Sequence, residues 1–337
     1  MLRRRGFTLT ELLVVIAIIG VLAALITAAA INALRNARQA RIVLEIKNMS
    51  TAIENFKSDF GAYPPNAMNN ATAAMTRRII PDFERMAKKA FPQIDPAELD
   101  VFRALASTNY STAIVTDSTV RGGMSAAEAL YFWLGGFSSD PKYPLSGPGG
   151  PSFLVSDGEV LENRQRRYEF PLEQLGPKTD GELDDTLVRY VEYTITVNGT
   201  AQQRRINLWT YAPAGSTKAY VYFDASRYKP GQYDMPAYDA SDFPDEAVIF
   251  PVAQLRTGLK EATGATADLV FANNRKFQIL HAGLDDAWGE NFAALGQQPN
   301  VSDSTDVITF PEGPFLGEVA DTLSNFTDGA IADSQEE

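Results

Sequence analysis

The run from Leu12 to Leu34 contains no charged side chain and is built mainly of Leu, Val, Ile and Ala. A helix crosses the hydrocarbon of a bilayer in about 20 apolar residues at 1.5 Å of rise each, so this run is long enough. It is apolar on every side, and therefore needs lipid or neighbouring copies of itself around it. Arg3, Arg4 and Arg5 precede it, and the positive-inside rule keeps that cluster in the cytoplasm. Arg35, Arg38 and Arg41 follow it, weakening the charge bias without reversing it. Three readings fit the run: a secretory signal peptide cut near Ala28-Ala29-Ala30, a plain signal anchor, or a leader cut at the Gly6–Phe7 bond. The first asks for an apolar core of roughly 7–15 residues, which this run exceeds.

The stretch Arg5-Gly6-Phe7-Thr8-Leu9-Thr10-Glu11-Leu12-Leu13-Val14-Val15-Ile16-Ala17-Ile18-Ile19-Gly20-Val21-Leu22-Ala23-Ala24 resembles the leader of type IV pilins and type II secretion pseudopilins almost letter for letter. The resemblance implies cleavage after Gly6 by a prepilin peptidase, N-methylation of the new terminus at Phe7, and assembly into a helical filament. It further implies an inner-membrane precursor with a cytoplasmic N-terminus and a periplasmic head, recruited by an assembly platform to join other copies and other pseudopilins. Glu11 fits this on physical grounds. A carboxylate within an apolar helix costs roughly 2.5–3.5 kcal/mol on insertion scales. Cleavage would create a cation four residues away, the amine of Phe7, which N-methylation leaves protonated. In the family the matching carboxylate pairs with the terminal amine of an adjacent subunit. One departure stands out: the family has a proline near the position of Ala28, and this chain has none between Phe7 and Tyr63. A straighter, continuous helix follows.

Beyond the apolar run, Ile42, Ile46, Met49, Ile53, Phe56 and Phe60 recur at alternating gaps of four and three, one stripe on a helix. The spacing predicts one helix from Phe7 to Asp59, on the order of 80 Å long. Gly61 and the pair Pro64-Pro65 end it. The expected organisation is a leader over 1–6, a membrane and filament-core half over 7–34, an amphipathic half over 35–60, and a head over 61–337. Within the head, 66–187 reads as a variable insert and 188–330 as sheet with an acidic loop.

In the insert, Pro81 and Pro92 predict a helix between them, and Pro96 opens another. Ser125 and Glu128 have capping-box spacing ahead of Leu130–Leu134. The segment Glu128–Gly136, with the Pro-rich loop through Pro151, is similar to enlarged pseudopilin-like proteins of the Planctomycetes type. Strands are expected at 188–197, 206–211, 219–223 and 276–281, the first two joined by a turn at Asn198-Gly199. The fold class is α+β: a pilin-like fold with a long N-terminal helix packed on an antiparallel sheet and a helical insert.

The segment Leu280–Gly289, followed by Asp321–Phe326, resembles the C-terminal signature of major pseudopilins, as does the Tyr63-Pro64 junction. In that family a Gly-x-Asp-Gly loop after a strand binds structural Ca²⁺, which takes 6–8 oxygen ligands. Carried over by position, Asp285 and Asp321 are the ligands, with Asp286, Asp303 and Asp306 as weaker candidates. Asp286 stands where the family has glycine. The alternative is that these are solvated carboxylates of an acidic chain.

No catalytic residue is expected. The chain has no cysteine, and His281 is its single histidine, which excludes cysteine-based zinc and redox chemistry. His281, at a strand end, reads as a hydrogen-bonded structural residue. Asp184-Asp185 and Asp285-Asp286 are sequence neighbours, which on a strand face opposite ways, a poor acid–base pair. A formal charge of −12 argues against nucleic acid, and losing residues 1–6 would take the side chains to −15, three arginines fewer. The function that the resemblance implies is that of a pseudopilin driving type II secretion. The alternatives are a type IV pilus or pilin-like competence or adhesion subunit, or a membrane-anchored periplasmic binding or enzymatic domain.

Overall fold

The computed structural model describes residues 9–67, 73–106, 112–120, 123–152, 164–179, 182–197, 199–227, 249, 251–259, 263, 268–288 and 308–335. The chain divides into two units, residues 1–42 and 43–337. Helix α1, Leu9–Phe60, runs through the first and ends in the second. Every described residue from Leu9 to Ala37 is exposed. Thr27, a polar interruption, donates its hydroxyl to the Ala23 carbonyl at 2.8 Å and so closes its own hydrogen bond inside the helix.

The predicted stripe is covered in the second unit: Ile46, Met49, Ile53 and Phe56 are buried and Phe60 is half-buried, while Ile42 is buried as well. Gly61 adopts φ +66°, the left-handed turn that suits glycine after a helix. The next residues are then held by their carbonyls. Arg227 donates to Tyr63 O at 2.7 Å, Tyr222 to Pro64 O at 2.8 Å, and the Trp133 indole to Pro65 O at 2.8 Å. Arg227 also pairs with the fully buried Asp224, whose carboxyl burial pushes up to about 6 in spite of that cation.

The insert supplies α2 (Ala73–Ala90), α3 (Pro96–Ala106) and α4 (Ala126–Leu134), with strand β1 (Val115–Ser118) between the last two. Helix α2 begins before Pro81 rather than at it, a correction to the sequence reading. Proline costs one backbone bond. Buried Ile79, Phe83, Met86 and Ala87 form a face on both sides of it, and that packing carries the helix through. The aromatic rings converge on Trp133, which lies 5.8 Å from each of Phe56, Phe83 and Phe102. Four helices thereby share one core. Glu128 completes the expected capping box with Ser125.

Of the remaining strands, only β6 (Arg189–Val197) and β7 (Thr200–Leu208) are long; the others are β2 (Phe137–Ser138), β3 (Arg164–Gln165), β4 (Lys178–Thr179), β5 (Glu182–Leu183), β8 (Val221–Phe223), β9 (Ala253–Leu255), β10 (Leu269–Phe271), β11 (Gln278–His281), β12 (Thr309–Phe310) and β13 (Leu323–Ser324). The α+β class holds, with the expected antiparallel sheet divided, among the described residues, into several small ones ordered β1-β6-β7, β10-β9-β12 and β13-β11-β8 and two two-stranded pairs. The β9–β12 pairing is parallel. Asn198 of the expected turn lies outside the described residues, while strands β6 and β7 pair as the predicted hairpin, with Val197 opposite Thr200. Its return strand stops at Leu208, earlier than expected, and Tyr211 bridges to Leu175 instead. Val191, Tyr193 and Ile195 alternate into the interior as predicted. Gln278 ties the small sheets together: its side chain exchanges two 2.8 Å bonds with the backbone of Val252 and donates a third to Ala272 O.

Candidate functional site

At the N-terminus, Gly6 and Phe7 lie outside the described residues. Glu11 sits in the first turn of α1, where a negative charge complements the helix dipole, and it is exposed. Behind it, about a dozen large aliphatic side chains from Leu12 to Leu34 are at least 42 % exposed. Each is worth roughly 1.5–3 kcal/mol on full burial, so together they represent on the order of tens of kcal/mol. That exceeds the roughly 5–15 kcal/mol by which a typical domain is stable. The helix is long and apolar enough to cross a membrane, by length and composition.

The acidic corner lies at the end of β11. Gly283 follows at φ +96°, and a Cβ there would collide with the Asp321 carboxylate. Glycine is needed for the close approach as well as for the turn. Asp321 accepts the Leu284 N–H at 2.8 Å and the Asp285 N–H at 3.4 Å through one oxygen. Its other oxygen, Oδ1, is buried and has no hydrogen-bond partner. Desolvation raises the Asp321 carboxyl above the ordinary aspartate range, and the neighbouring Asp285 charge adds to this. The structure thus brings Asp285 and Asp321 together.

Asp286 behaves differently. It takes φ +56°, the left-handed conformation a glycine would favour, which aspartate tolerates better than most residues. Its carboxylate turns to the 216–217 segment, accepting from the Ser216 hydroxyl and from Thr217 N at 3.2 Å. Asp303 and Asp306 lie outside the described residues. Among the described residues no group of three or more His, Asp or Glu side chains is placed to hold a metal ion.

His281 is fully buried. Its Nδ1 accepts the Gly283 N–H at 3.1 Å, which leaves the proton on Nε2, facing Lys218 O at 3.1 Å and Ser216 Oγ at 3.2 Å. Ser216 therefore accepts from the imidazole and donates to Asp286. A nucleophilic serine needs the reverse, an imidazole nitrogen free to take its proton. The three side chains form a structural network tying β11 to the 216–218 turn. Ser216 was not singled out by the sequence, because 65 residues separate it from His281.

Comparison with known families adds one match. Residues 1–27 fit the family described as the prokaryotic N-terminal methylation motif. No curated protein and no solved structure matches the chain. The motif and the long apolar helix that starts within it indicate a type IV pilin-like protein processed by prepilin peptidase, and the motif implies assembly into filaments. The helix is consistent with membrane anchoring.

Proposed function

We propose that this type IV pilin-like chain is a pseudopilin of a type II secretion system. It would be cut between Gly6 and Phe7, methylated at Phe7, and held in the inner membrane by α1 with the head in the periplasm. The observation that carries the reading is the uncovered apolar length of α1 from Leu9 to Ala37, which begins within the methylation motif of residues 1–27. Lipid covers such a surface before assembly and the helices of other subunits cover it afterwards. Glu11 supplies the carboxylate for the terminal amine of a neighbouring subunit, and the role of the protein is mechanical rather than catalytic.

Mass spectrometry of the mature N-terminus tests the processing. An N-methylated Phe7 is expected; an intact Met1, or a start near Ile31, would sink the reading. Glu11→Ala should abolish filament incorporation while leaving the folded head unchanged. The companion measurement is secretion: a deletion strain that secretes normally but loses surface pili would favour the type IV pilus alternative.

A second reading concerns Ca²⁺, favoured by the buried, unpartnered Asp321 Oδ1 beside Asp285. Two carboxylates and an orphaned oxygen suit a hard cation, with backbone carbonyls and water completing its 6–8 oxygens. Asp285 and Asp321 would hold the ion, which would neutralise their repulsion and cross-link the β11 loop to the segment before β13. Calcium should raise the melting temperature of the full chain in detergent, and Asp321→Asn should remove that shift. An identical melting temperature in calcium and in chelator would exclude the site.

A further inference from the structure

Glu98, in the first turn of α3, has no exposed surface. Its two oxygens point at consecutive backbone amides of a distant segment, Leu145 N at 2.7 Å and Ser146 N at 2.8 Å. That segment, residues 141–152, is rich in Pro and Gly and has no regular structure. Among the described residues no cation lies within ion-pair distance of Glu98, which sets it apart from Glu128, whose buried carboxylate pairs with Arg189. Beside it the Ser146 hydroxyl is buried and lacks a hydrogen-bond partner. A buried carboxylate without a counter-cation is costly, whereas a neutral carboxyl needs one acceptor for its proton. Ser146 Oγ is such an acceptor within reach.

We propose that Glu98 is a proton-operated latch on the 141–152 segment. With its proton, Glu98 keeps both backbone amides, one on each oxygen, and turns its hydroxyl to Ser146 Oγ, and the segment stays closed. Without it, an anion is left in the interior, and opening the segment hydrates that charge.

The surroundings favour the neutral form. Burial pushes the Glu98 carboxyl up to about 7, outweighing the adjacent Ser146 hydroxyl and the backbone amides of Leu145 and Ser146, all of which favour the anion, and the nearby Asp95 carboxylate adds to the rise. Asp95 itself is tied to the same segment through Lys142 O, at 2.9 Å from its amide, and through the exposed Lys142 ammonium at 3.9 Å. From β6 the buried Tyr193 phenol faces this corner and bonds Ser152, with Arg204 of β7 near it. On α2, Glu84 is paired with Arg103. A carboxyl whose closed-state pKa is raised favours closure below the ordinary glutamate range, and that contribution is lost as pH rises through about 7.

The test uses the full chain in detergent with carboxyl-¹³C glutamate and amide hydrogen exchange. The Glu98 carboxyl should titrate near neutrality. Exchange protection at Leu145 and Ser146, corrected for the intrinsic rate, should fall on the order of tenfold between pH 5.5 and 7.5 and then level off. Glu98→Gln, a permanent neutral mimic, should show no such fall. A Glu98 midpoint in the ordinary carboxylate range, or equal protection at both pH values, overturns the latch. Both wild-type measurements stand even if the variant does not fold.

Discussion

Residues 12–34 and residues 46–60 of α1 draw on the same aliphatic vocabulary and share one continuous helix, yet one stretch is bare and the other covered. What separates them is arrangement. In the first, apolar side chains occupy every direction, and no stripe can be chosen for burial. In the second they keep to one face, with Lys47, Glu54 and Asp59 elsewhere, and the head takes that face. Hydrophobic content therefore says how much surface wants covering, and periodicity says whether the chain covers it itself.

Substitutions on the two sides should respond accordingly. The largest effect is expected inside the covered unit at Arg189→Ala, which strands the Glu128 carboxylate. Arg189 Nε donates to it at 2.8 Å and both side chains are buried, so denaturant unfolding in detergent should show a loss of about 3–5 kcal/mol. A loss below about 1 kcal/mol would mean the pair is solvated and the head looser than described.

Next comes Ile53→Ala, on the buried stripe with no exposed surface, which should cost about 2–5 kcal/mol by the same measurement. The smallest effect belongs to its counterpart Ile19→Ala, 57 % exposed, which should change head stability by less than about 0.5 kcal/mol. Equal costs at positions 53 and 19 would break the comparison outright. A cost at 53 with none at 19, together with weaker membrane retention of the Ile19 variant, would sharpen it.

The features legible in the sequence were those with a local period or a local partner. The α1 stripe repeats every three or four residues, the capping box spans Ser125 to Glu128, and the β6–β7 hairpin closes between Val197 and Thr200. Asp285 and Asp321 were paired through resemblance, and the fold brings them together. The missed features depend on partners far along the chain. Glu128 signalled its cap but not Arg189, 61 residues later. Glu98 gave no sign of the amides 47 and 48 residues away. Pro81 looked like a helix start because the rule for proline is local, whereas the aromatic core that holds α2 together is not. The division into small sheets, one pairing parallel, was hidden for the same reason: two- and three-residue strands are too short to show alternation.

The three carbonyls at 63, 64 and 65 also carry a consequence for biosynthesis. Their donors lie 164, 158 and 68 residues further on. At about 5–20 residues per second, the ribosome delivers the last of them roughly 10–30 s after the carbonyls themselves. Through most of that interval the stripe of Ile46, Met49, Ile53 and Phe56 has emerged with only part of its cover made, the helices α2 to α4 that bring Phe83, Phe102 and Trp133. The backbone just after α1 thus stays only partly hydrogen-bonded until more than half of the remaining chain has been made.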